Sequence, residues 1–148
     1  MKFLSLIALA ASITAVASSA ISGNARIEHC KDYGNDDALQ LSEVNIEPSP
    51  AIRGQPIRLT AKGLSNTIIN PGATMEIKVH KGVFKKTYTQ QLCGGENGLD
   101  CPTNHVDFSF EEVIPKRTPH GDWKVDVKVR DGKTELACLK GKLRIEKK

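Results

Sequence analysis

The sequence predicts an antiparallel β-sandwich, on three observations. Apolar and polar residues alternate with period two along most of the chain after about residue 40. Turn-forming clusters of Pro, Gly and Asn interrupt that alternation at strand-sized intervals. No segment shows convincing helical periodicity. Six to eight strands, with no internal repeat and no low-complexity linker, make one domain.

Residues 21–37 are polar and turn-rich, ending in Asn35-Asp36-Asp37, and give no periodic signal. Leu41, Val44 and Ile46 begin an extended segment that Pro48 and Pro50 end. After the turn Arg53-Gly54-Gln55-Pro56, Ile57, Leu59 and Ala61 alternate with Arg58, Thr60 and Lys62 as a half-buried strand does. Asn70-Pro71-Gly72 is a second turn, leading into Met75, Ile77 and Val79 between Thr74, Glu76, Lys78 and His80. From Val83 to Leu92 the alternation is weaker, around Phe84 and Tyr88. Val106, Phe108 and Phe110 alternate with Asp107, Ser109 and Glu111. The most regular strand runs from Trp123 through Val125 and Val127 to Val129. Asp131-Gly132 then predicts a hairpin into a last strand with Leu139, Leu143 and Ile145 on one face.

The first 20 residues carry Lys2, an apolar run from Leu6 to about Val16, and small residues at Ala17, Ser18, Ser19 and Ala20. This is the pattern of a secretory signal peptide cleaved after Ala17 or Ala20. As a membrane anchor the run is too short and is broken by Ser12 and Thr14. The expected mature chain, residues 21–148, has about 128 residues, the size of one domain. Its charges are interspersed, and loss of Lys2 lowers the formal net charge of +4 by one. A diffuse positive balance favours solubility and weak attraction to anionic surfaces, whereas a nucleic-acid partner calls for a basic stripe with interleaved aromatics. Behind such a leader, Cys30, Cys93, Cys101 and Cys138 read as disulfides. Four cysteines permit three connectivities, and spacing alone does not choose among them; proximity favours Cys93–Cys101, leaving Cys30–Cys138. Zinc is a poor fit, because there is no Cys-x2-Cys pair and His29, His80, His105 and His120 are scattered. No cofactor is expected.

Catalysis is unsupported. There is no Gly-x-Ser-x-Gly elbow, Walker loop, dinucleotide fingerprint or calcium loop. His105 and His120, near Asp107 and Asp122, read more readily as surface histidines than as a catalytic pair. Glu111 and Glu112 are strand neighbours and point to opposite faces, so they cannot converge on one bond. The chain does offer an unbroken apolar inner surface: Met75, Ile77, Val79, Val106, Phe108, Phe110, Trp123, Val125, Val127, Val129, Leu139 and Leu143. Periodicity does not distinguish a solid core from a hollow one.

Four stretches are more specific: Leu99-Asp100-Cys101-Pro102, Asp107-Phe108-Ser109-Phe110, Pro119-His120-Gly121-Asp122-Trp123-Lys124-Val125-Asp126-Val127 and Leu136-Ala137-Cys138-Leu139. With the opening Val44-Asn45-Ile46-Glu47-Pro48-Ser49-Pro50 and Arg53-Gly54-Gln55-Pro56-Ile57, they resemble the ML lipid-recognition domain family over roughly residues 28–146. The chain is most similar to its phosphatidylglycerol/phosphatidylinositol transfer proteins, relatives of the Niemann–Pick type C sterol carrier. The resemblance implies an immunoglobulin-like sandwich whose sheets do not fully close, with an apolar cavity for a sterol or an acyl chain. It also implies the pairings Cys30–Cys138 and Cys93–Cys101. The sterol carrier has a further cysteine pair near its N-terminus that this sequence lacks, which removes a clamp on residues 31–45.

Matching the family's strands puts the cavity mouth near Phe84, Val113, Ile114, Pro115, Pro119 and Trp123, with Lys85, Lys86, Lys116, Arg117 and His120 around it. The expectation is a monomeric, non-enzymatic carrier, secreted or held in a vacuole- or lysosome-like lumen. It would exchange a sterol or phospholipid with membranes while its basic residues meet anionic bilayers or a lipid phosphate. The competing expectations are a recognition module with a solid core and a sensor that presents bound lipid to a receptor.

Overall fold

The computed structural model describes residues 21–30, 37–96 and 98–148. The leader expected at residues 1–20 lies outside them. Among the described residues, nine strands form two facing sheets. They are β1 (Arg26–His29), β2 (Leu39–Glu47), β3 (Ala51–Ile52), β4 (Pro56–Ile69), β5 (Thr74–Lys81), β6 (Phe84–Gln91), β7 (Thr103–Val113), β8 (Gly121–Asp131) and β9 (Thr134–Glu146). The larger sheet has the order β1-β9-β8-β5-β6, with β3 added to β9, and the smaller has the order β2-β4-β7.

Two strands depart from the expected set. β1 lies in the stretch that carries no periodic signal; its four residues alternate too briefly to register, yet pair antiparallel with β9 from Arg26↔Lys142 to His29↔Leu139. β3 follows the two prolines and has only two residues. It pairs with β9 in parallel, so the antiparallel rule has this one exception among the described strands. The last hairpin also turns one residue later than Asp131-Gly132 suggests. Asp131 pairs with Thr134, and Gly132-Lys133 form the two-residue loop, with Gly132 at φ 62°. Gly82 does the same between β5 and β6, at φ 59°. A left-handed first loop residue suits glycine and matches the twist of the flanking strands.

Register carries the inner face across both sheets. On the larger, Leu139, Val127, Ile77 and Tyr88 stand in one cross-strand row, and Ala137, Val129, Met75 and Gln90 in the next. On the smaller, Ile46, Leu59 and Phe110 form one row and Val44, Ala61 and Phe108 another. Buried residues fall into two clusters. The main one includes Leu39, Val44, Ile69, Val127, Val129 and Leu136; a smaller one holds Ala51, Ile114, Trp123 and Ile145.

Both disulfides lie at the end of the sandwich where β5 and β9 begin. Cys30–Cys138 ties the residue after β1 to β9 across a sequence separation of 108, and Cys93–Cys101 closes the short loop before β7. A polar clasp stands beside the first. His29 Nδ1 lies 2.7 Å from Asp37 Oδ2, which also accepts the Cys138 backbone N–H at 3.1 Å. The Leu41 N–H points to His29 Nε2 at 3.4 Å. β1, β2 and β9 are thereby joined by side chains that are nearly buried.

Candidate functional site

The sheets separate toward the other end, where β5 finishes and β8 starts. A cavity of about 270 Å3 lies there between them. The larger sheet contributes Val79, Phe84, Tyr88, Trp123 and Leu143, and the smaller sheet Ile46, Ile57, Leu59 and Phe110. The β7–β8 connection adds Ile114, Pro115, Thr118 and Pro119. The Trp123 indole is fixed by its N–H, which donates to the Pro119 carbonyl at 2.8 Å. That bond satisfies the polar edge of a 5% exposed ring and leaves its apolar body for the cavity wall. Polar groups gather at the rim: Lys85, Lys86 and Glu112. The Lys86 ammonium sits 4.9 Å from the centre of the Tyr88 ring, a cation–π contact that holds a positive charge at the opening.

Deeper in the sandwich is a second cavity of about 70 Å3, bounded by Met75, Leu92, Val106, Phe108, Val127 and Val129 among others. Both volumes exceed the ~10–15 Å3 that one water needs, but these walls offer water almost no hydrogen-bond partner. Ile46, Leu59, Ile77 and Val125 line both cavities, so one layer of side chains divides them.

Ile114 and Pro119, expected at the mouth, line the outer cavity, and the other fifteen apolar residues singled out from the sequence divide between these spaces. Met75, Val106, Phe108, Val127, Val129 and Leu139 line the inner cavity; Val79, Phe84, Phe110, Val113, Pro115, Trp123 and Leu143 line the outer; Ile77 and Val125 line both. Of the basic residues, Lys85 and Lys86 reach the outer cavity. Lys116, Arg117 and His120 lie exposed in the β7–β8 connection, outside its lining. Sequence reasoning passed over the β2 and β4 wall, notably Ile46, Ile57 and Leu59, and Tyr88 of β6. Ile57 and Leu59 carried the signal in their alternation, whereas Tyr88 sits in a strand whose inward positions also include Lys86 and Gln90. Glu111 and Glu112 do face apart: Glu111 pairs with Arg58 at 3.1 Å, and Glu112 stands at the cavity rim.

Fold and site together define an immunoglobulin-like β-sandwich with an accessible apolar interior. The ML domain model matches residues 24–145, and the chain belongs to that family. Among its relatives, the phosphatidylglycerol/phosphatidylinositol transfer protein of Kluyveromyces lactis is 28% identical over 136 residues, spanning 86% of this chain and 78% of that protein. The protein of the same name from Aspergillus oryzae is 29% identical over 126 residues, spanning 81% and 71%. The crystal structure of a Niemann-Pick type C2 protein from the Japanese carpenter ant shares the fold. Its TM-score is 0.64 at 16% identity, over 81% of this chain and 98% of that one.

Proposed function

We infer that this protein is a lipid carrier. It would take a phospholipid or sterol from one membrane, shield its apolar part between the sheets and release it to another. The observation that carries this reading is the outer cavity, apolar within and bordered at its rim by two lysines and one glutamate. Apolar area removed from water is worth about 25 cal/mol per Å2, so a complementary apolar slot binds a lipid tail with few directed bonds. The names of the fungal relatives favour a phospholipid over a sterol. The fifteen lining residues are assigned to the lipid tail, and Lys85, Lys86, Lys116, Arg117 and His120 to the headgroup or membrane.

Two surface features support membrane contact at the mouth. Val83 is 89% exposed and Phe84 54% exposed at the β5–β6 tip, where apolar side chains can enter an interface. On the outer face of the larger sheet, Arg26, Lys142, Lys124, His80 and Lys85 stand in one cross-strand row that leads to the same mouth. Arg26, Lys142 and Lys124 are like charges directly opposite one another, which destabilises a sheet, whereas an anionic surface offsets their repulsion; His80 in the same row bonds Asp126 at 3.1 Å. The disulfides and the leader read from the sequence fit a secreted or lumenal protein.

Native mass spectrometry of protein purified from a lipid-containing host tests the reading, with extraction to identify the bound species. Retained phospholipid is expected. Val79→Trp, which fills the outer cavity, should abolish retention while the thermal transition stays cooperative. Unchanged retention in that variant would place the ligand elsewhere, and a wild-type protein that never holds or transfers lipid would favour a recognition module.

A further inference from the structure

The division of the interior has a consequence for which lipids the protein accepts. The four shared side chains come from both sheets. Ile46 and Leu59 are directly paired across β2 and β4, while Ile77 and Val125 are diagonal neighbours on β5 and β8. All four are aliphatic, so the layer they form has no hydrogen bonds to break and opens by rotamer changes alone. Beyond it the inner cavity continues for roughly 13 Å, the rise from Val125 to Val129 at about 3.3 Å per residue. That space differs from the outer one: it is smaller, its walls are almost wholly apolar although Arg26 and Lys142 of β1 and β9 border it from the outward-facing row of the larger sheet, and it reaches Leu92, Val106 and Val129. A headgroup finds no partner there. An apolar void that water gains little by entering is filled at a profit only by something apolar and thin.

We propose that the Ile46–Leu59–Ile77–Val125 layer is a waist through which the end of an acyl chain threads, and that the inner cavity measures the chain's length. The proposal rests on the carrier reading and specifies its ligand: a lipid with a flexible chain long enough to pass the waist, held with its head at the Lys86 rim. Each methylene buried is worth about 0.8 kcal/mol, so affinity rises roughly fourfold per carbon while the chain still finds apolar wall. The rise stops where the chain end meets the inner floor.

The test uses the full mature protein and a series of lysophosphatidylglycerols of increasing chain length, with affinity read by displacement of a fluorescent fatty acid. Wild type should show a steep rise that levels off at a long chain. Val127→Phe, which fills only the inner cavity, should move the plateau several carbons shorter and leave the short-chain affinities unchanged. Leu59→Ala, which widens the waist without touching the floor, should leave the plateau where it is and strengthen long chains relative to short ones; it serves equally where Val127→Phe does not fold. An unmoved plateau in Val127→Phe, or a parallel loss at every length in either folded variant, overturns the waist while leaving the carrier intact. A wild-type protein that binds no member of the series overturns the carrier reading, and the waist with it.

Discussion

At the end of the sandwich where β9 begins, Ile69, Ala73, Leu136 and Ala137 are at most 1% exposed, and both disulfides lie nearby. At the other end Val83, Phe84 and Val113 stand out in solvent, and the sheets enclose open space. The same strands run through both ends, so strand propensity does not account for the difference. What differs is how the sheets are joined. At the closed end side chains interdigitate, while Cys30–Cys138 and the His29–Asp37 clasp fix β1, β2 and β9 together. At the open end the joining falls to the small Ala51–Ile114–Trp123–Ile145 cluster beside the mouth. A cavity forgoes packing that a solid core would have, so the molecule concentrates its stability at one end and keeps the other available.

Three experiments would break or sharpen that contrast. The largest effect is expected at the closed end. Replacing Cys30 and Cys138 together by Ser removes a closure spanning 108 residues, worth up to ~4.7 kcal/mol in the chain-entropy model. Chemical denaturation should show a loss of about 2–5 kcal/mol, and a loss near zero would mean that the clasp and packing hold that end unaided. Next, Val83→Ser at the open tip, outside the cavity lining, should leave stability within about 0.5 kcal/mol of wild type. Transfer between liposomes should nonetheless slow by on the order of tenfold, because that apolar side chain no longer enters the bilayer. A large stability loss instead would make the tip part of the core. The smallest effect is electrostatic. Reversing Lys85, Lys86, Lys116 and Arg117 to Glu should slow transfer to anionic vesicles a few-fold at low salt, and the difference should fade as salt screens it. Equal rates at every ionic strength would remove these residues from membrane docking.

Much of this contrast is legible in the sequence, for reasons that differ by region. Period-two alternation identifies Met75-Ile77-Val79 and Trp123-Val125-Val127-Val129 as one wall, because each strand shows one face to the interior and the other to water. The same pattern describes a filled interior and a hollow one equally, so the cavity is implied only by the family resemblance and is seen only in the structure. β1 escapes because a four-residue strand gives only two inward positions, Ile27 and His29, and one of them is polar. The two-residue β3 has no period to read. The waist is a property of register. Ile46 and Leu59 are far apart in sequence, and only the pairing of β2 with β4 sets them side by side opposite Ile77 and Val125.

Trp123 is the chain's one tryptophan, and its ring is part of the outer cavity wall with the indole N–H already committed to Pro119. Its fluorescence therefore arises from a single, oriented fluorophore at the mouth. On the carrier reading, a lipid chain sliding past that ring changes its surroundings directly, and a brominated or spin-labelled chain quenches it. The sequence then supplies an optical probe of occupancy, by which loading and unloading can be followed in real time without attaching a label.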